Sequence, residues 1–338
     1  MQCSALKCNL IGWLLFLLSA CDGGETSHIA LVQSQSVIAD RDLLVEVARA
    51  FYARYSDQYD MLVLWGASGF IPRASYYLAV QNDVKGIGYQ HDGPEFFDDS
   101  QEFGSRSLQG VIWIGPIWQD KAVRGGPDSV LGTLAHETAH RWGSTVRFRD
   151  DLTGDVSEEL LGDGFHWSFF LDTGASPLGG NQWDDIGKSF FRAVPVDTVT
   201  FSQLDLYLMG LLSTEEVAPL RLLTHVRDEK DVPGTRFSKV SRRVIEPATL
   251  KADLREISMK QIIEVEGRRD PEAGFNAREI RQAWIYVSKQ LGQISVSDLA
   301  TLQELQASWS EFFAQATGGR SSVVTRLFQK EELKNYGW

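Results

Sequence analysis

Ser129-Val130-Leu131-Gly132-Thr133-Leu134-Ala135-His136-Glu137-Thr138-Ala139-His140-Arg141-Trp142-Gly143 carries two histidines four residues apart, with a glutamate beside the first. Four residues of α-helix advance about 6 Å and about 400°, so the two imidazoles stand on one face, one turn apart. Both rings can then reach a single tetrahedral zinc at about 2.0–2.1 Å. The Glu137 carboxylate stands where it can take a proton from water activated by such a metal. Val130, Leu131, Leu134, Ala135 and Ala139 supply the helix with an apolar side. Asp128 or Ser129 is the expected N-cap, and the helix is expected to run to Trp142 and stop at Gly143.

Upstream, Asp40 is placed to cap a helix in which Leu44, Val47, Ala48, Phe51, Tyr52 and Tyr55 recur at helical spacing. Residues 61–65 (Met-Leu-Val-Leu-Trp), 76–80 and 110–115 read as short apolar strands, with Gly86, Gly88, Gly93 and Pro94 breaking the chain between the last two. Downstream, residues 144–200 are rich in Gly and Asp and read as largely irregular. A helix is expected to open at residues 201–206, with Ser202 and Asp205 as a capping box and Phe201 and Leu206 as its hydrophobic staple. Beyond residue 213 the pattern mixes helix and strand, with a strand expected at 284–288 and an amphipathic helix at 299–316.

The 338 residues hold 33 Lys and Arg against 45 Asp and Glu, a formal net charge of -12. That balance argues against nucleic acid, whose phosphates call for clustered cations. Lys7 followed by an apolar run at residues 10–20 reads as a signal segment, too short to span a bilayer, which takes about 20 residues. The run closes on Leu18-Ser19-Ala20-Cys21, which resembles the lipobox of bacterial lipoproteins. That resemblance implies an acylated Cys21 as the first mature residue and a protein exported to the periplasmic or cell-surface face of a membrane. Cys3, Cys8 and Cys21 are the only cysteines, so the mature chain has no disulfide pair. The expected organisation is a signal peptide at 1–21, a polar tether at 22–39, a catalytic domain at 40–212 and an α/β subdomain packed on it at 213–338.

His136-Glu137-Thr138-Ala139-His140, on a helix that follows an apolar strand, resembles the signature of the zincin metallopeptidases over about residues 61–143. The resemblance implies an α+β fold, zincin-like, in which a small mixed sheet packs on the active-site helix. It implies zinc as cofactor, His136 and His140 as ligands, Glu137 as general base, and residues 110–115 as the edge strand that binds extended peptide. The chain follows the metzincin pattern as far as Gly143, but that pattern's third histidine would fall on Val146. The third ligand therefore lies elsewhere.

His166 and Glu159 are the main candidates, with Glu158, Asp163 and Asp205 behind them. Glu159 follows His140 at a spacing used by some gluzincins. The run His166-Trp-Ser-Phe-Phe-Leu-Asp172, with Phe201-Ser-Gln-Leu-Asp-Leu-Tyr-Leu-Met-Gly210, resembles a loosely described group of bacterial metallopeptidases and favours His166. Met209 reads as a core residue more than as a methionine beneath the metal, and Tyr207 as a packed tyrosine more than as an oxyanion donor. Asp150-Asp151 and Asp184-Asp185 read as surface charge. The expected activity is hydrolysis of a peptide or protein substrate. The alternative is a non-catalytic surface binding or assembly lipoprotein on the same scaffold, which metal content would discriminate.

Overall fold

The computed structural model describes residues 29–91, 93–228, 230, 234–274, 278–290 and 293–330. The expected signal segment with Cys21, and residues 22–28 of the expected tether, lie outside the described residues. In chain order the first half carries β1 (Ile29–Gln33), α1 (Arg41–Tyr52), β2 (Met61–Gly66), β3 (Tyr76–Ala79), β4 (Gly110–Ile114) and α2 (Val130–Ala139). Next come β5 (Trp167–Asp172), β6 (Gly179–Gly187), β7 (Phe190–Val194), α3 (Gln203–Leu208), β8 (Leu220–Arg227) and β9 (Ala248–Ile257). The chain then adds α4 (Met259–Glu266), β10 (Arg278–Ser288), α5 (Val296–Ala316) and β11 (Ser321–Val324). The fold is mixed α+β.

One sheet runs β1-β10-β2-β4-β3, with β11 paired to the start of β10. All its pairings are parallel except that of β3, which lies antiparallel to β4 at one end. Successive residues of a strand face opposite sides. Met61, Val63 and Trp65 therefore enter one core with α2 and α5, while Leu62 and Leu64 enter the other with α1. Burial on both faces is why the central strands read as unbroken apolar runs. Asp40 accepts from Leu43 N at 3.1 Å as the N-cap of α1.

A second sheet closes into a five-stranded barrel in the order β6-β7-β9-β8-β5. Phe169, Trp183, Phe191, Leu223 and Leu250 fill it. The expectation that residues 144–200 are irregular is therefore corrected. Its strands are hidden because register shifts at Gly179/Asn181 and Asp185/Gly187 interrupt the alternation that identifies a strand.

Two further expectations change. Residues 29–33 of the tether form β1, whose Ile29 to Val32 are all buried against the sheet. The boundary at 212/213 cuts through both sheets: β8 and β9 complete the barrel begun by β5, and β10 inserts between β1 and β2. Among the described residues no helix is long and apolar enough to cross a membrane.

Asp150 is not free surface charge. Arg255 of β9 grips it with two hydrogen bonds, of 2.7 and 2.6 Å, at a site where the carboxylate side chain is 13% exposed. That guanidinium holds the Asp150 carboxyl down at about 2. A carboxyl depressed on folding contributes stability above its unfolded value of about 3.9 and loses it as the pH falls towards the folded value. The melting temperature should therefore drop between about pH 4 and pH 2, and Asp150→Asn should flatten that part of the curve in a thermal-melt series. An unchanged slope in the variant would dismiss the pair as a source of acid sensitivity.

Candidate metal centre

Helix α2 begins at the N-cap Ser129, whose hydroxyl accepts from Gly132 N at 3.0 Å. It ends earlier than expected, at Ala139, with His140 as its C-cap residue. His136 and His140 still lie one turn apart, with their Nε2 atoms 3.0 Å from each other. His166 comes from the turn that leads into β5. Gly162 N donates to His166 O at 2.8 Å and Ser168 N to Leu160 O at 2.8 Å, which closes this turn across the base of the strand. Its imidazole is thereby set with Nε2 3.1 Å from that of His136.

The three rings form a group that could hold a metal ion, and each is partly buried. The other ring nitrogen of each histidine faces an acceptor. His136 Nδ1 donates to Pro177 O at 2.8 Å, and His140 Nδ1 faces Gly143 O at a longer 3.4 Å. His166 Nδ1 donates to both oxygens of Asp163 at 2.9 Å. Acceptors at Nδ1 place the proton there and leave the Nε2 lone pairs converging. The lone pairs of His140 and His166 each lie about 3 Å from that of His136, with all three ligand atoms within 4.8 Å of one another, and they repel unless a cation lies among them. Burial, reinforced by the neighbouring imidazoles, pushes His136 down to about 4 and His140 well below its ordinary value. Both rings are therefore neutral at pH 7, as metal ligation needs.

The alternatives for the third position do not join this group. Glu158 pairs with Arg147 at 2.7 Å, and Glu159 lies in an exposed turn with its N–H on Ser157 Oγ. Residues 157–160 form no helix, so neither carboxylate has a helical path back to the histidines. Asp163 is the partner of His166. Asp205 is fully buried in the expected capping box, where it accepts from Ser202 N and, on its other oxygen, from the Trp167 indole at 2.7 Å. Tyr207 is also buried, with its hydroxyl accepting from Arg269 N at 3.1 Å. Met209 caps α3 and packs in the core.

Glu137 lies 3% exposed on α2, and its Oε2 has no hydrogen-bond partner among the described residues. Burial raises its carboxyl to about 7, opposed by the Ser75 hydroxyl and the Lys121 charge. Strand β4, expected at the sheet edge, is interior, because β3 pairs along its far side.

Several supports of the site carry little sequence signal. Pro177 acts through its carbonyl, which no side-chain pattern reveals. The pairing Asp163-x-x-His166 was visible as a spacing but not as a contact. Arg243 donates to the carbonyls of Ser176, Gly179 and Gly180 and so braces the loop that carries Pro177. Asp205→Ala should remove roughly 2–6 kcal/mol of stability, since it leaves the Trp167 indole and the Ser202 N–H without their acceptor at about 1–3 kcal/mol each. By freeing Trp167, the neighbour of His166, it should also weaken metal binding by about 10–100-fold, as loss of an outer support does. Urea unfolding and metal titration read the two effects separately, and an unchanged metal affinity would break the proposed link. No protein-family model, curated protein or solved structure matches this chain.

Proposed function

We propose that the chain is a zinc-dependent hydrolase, a zincin-type peptidase held at a bacterial envelope through an acylated Cys21. His136, His140 and His166 are its zinc ligands and Glu137 its general base. The observation that carries this reading is the convergence of three Nε2 atoms whose Nδ1 atoms all face acceptors. Three imidazoles suit zinc, and a three-residue set leaves one coordination position for chemistry, unlike the four-residue sets of structural sites. Zinc bound there supplies a Lewis acid and brings the pKa of a coordinated water to about 7.

Glu137 is the group that moves protons. Its unpartnered oxygen accepts a proton from the attacking water, and the same carboxyl then delivers it to the leaving amine. Strand β3 supports a peptide substrate, since it is the outermost and antiparallel strand and begins one residue after Ser75. An extended chain adds to such an edge through main-chain hydrogen bonds. This moves the expected substrate strand from residues 110–115 to 76–79.

The test is cleavage of a mixed peptide library by the purified protein, followed by mass spectrometry. Cleavage should stop with a chelator and return with added zinc. A zinc-loaded protein that cleaves nothing, or cleavage indifferent to chelator, would overturn the reading.

A further inference from the structure

We propose that Lys121 receives the free α-carboxylate of the substrate, so that the site acts on the C-terminal ends of peptides. This rests on the peptidase reading and adds a substrate class to it.

The segment before α2 carries Lys121. It folds back over the helix N-terminus, where Val130 N donates to Ala122 O at 2.9 Å and Leu131 N to Val123 O at 3.2 Å. Two first-turn N–H groups that the helix itself leaves unpaired are thereby satisfied. Gly132 allows the close pass: a Cβ there would lie 2.6 Å from Gly126 O and 2.7 Å from Pro127 O. The segment is thus pinned, and Lys121 is delivered to the helix, where its Nζ donates to Thr133 Oγ1 at 2.8 Å.

Thr133 stands four residues before Glu137, on the same helix face and about 6 Å up the axis. Lys121 lies close enough to His136 and Glu137 for its charge to bear on both. Its other two N–H bonds have no partner among the described residues. Arg242 is exposed, forms no ion pair among the described residues and acts on Lys121 by its charge. The charges of Asp128 and Glu137 act on Lys121 in the opposite sense.

Lys121 sets a cation beside the site in a chain whose net charge is -12. An extended peptide advances about 3.3–3.6 Å per residue. A carboxylate resting on Lys121 therefore belongs to a residue one or two positions beyond the bond attacked beside Glu137. There the ammonium makes a charge-assisted hydrogen bond, stronger than a neutral one.

The experiment compares kcat/KM for matched peptides ending in a free carboxylate or in an amide, using the zinc-loaded full chain. The wild type should prefer the acid by about tenfold or more, the size of a hydrogen bond to a charged group. Lys121→Met should bring the acid-to-amide ratio near one, mainly through KM, with Lys121→Arg restoring part of it. In parallel, calorimetry on the zinc-loaded Glu137→Gln protein measures binding of an N-acetyl dipeptide acid and its amide. Equal rates for acid and amide in the wild type, or a ratio unmoved by Lys121→Met, would overturn the assignment. If the wild type cleaves neither peptide, the peptidase reading fails and calorimetry decides: acid-selective binding lost in Lys121→Met supports the carboxylate site, and its absence refutes it.

Discussion

Glu137→Gln should lower the rate of peptide cleavage by about 10²–10⁴-fold, the range a positioned general base contributes. The amide is isosteric with the carboxylate, so α2 and its two histidines keep their geometry. What the amide cannot do is accept a proton. Zinc content should therefore stay at one per chain while turnover collapses. The size of the expected loss follows from the site: Glu137 is buried with one oxygen unpartnered among the described residues, whereas the Asp163 carboxylate is bound to His166 Nδ1. Rates measured on one peptide, with metal content determined by mass spectrometry on the same samples, give the comparison. Retention of a tenth or more of the wild-type rate would remove Glu137 from its assigned role.

His166→Ala should weaken zinc binding by on the order of 10²–10³-fold. Zinc in four-ligand peptide sites is held by about 10–16 kcal/mol, or roughly 3–4 kcal/mol per ligand, and each 1.4 kcal/mol is a factor of ten. Asp163→Asn should cost less, about 10–100-fold, because it removes only the acceptor that orients the His166 ring. Glu159→Gln should leave affinity unchanged, since that side chain lies outside the histidine group. Competition titration with a zinc-binding dye orders the three variants. If Glu159→Gln releases the metal while His166→Ala retains it, His166 is not the third ligand and Glu159 takes its place.

Much of the fold was legible because its signals are local. Strand β2 announced itself through Met61 to Trp65, five apolar residues in a row, and α1 through Asp40 ahead of a 3.6-residue pattern. Ser202 and Asp205 declared α3 by the capping box that the structure contains. The barrel strands were not legible, because bulges and glycines interrupt their alternation. Long β10 was read only from Trp284 onward, six residues after its start at Arg278. The charged and polar residues at its beginning mask a strand that is supported by pairing with β11.

What the chain determined by itself is the pair His136 and His140 with Glu137 between them, because a helical turn sets that geometry within five residues. Caps and apolar runs share this property, for each acts through neighbours a few positions away. Only the tertiary structure decided that His166, thirty residues from His136, completes the group. It alone slid β10 between β1 and β2 and laid Lys121 on Thr133. Such meetings depend on which distant surfaces bury each other best, a competition across the whole chain that no local spacing records.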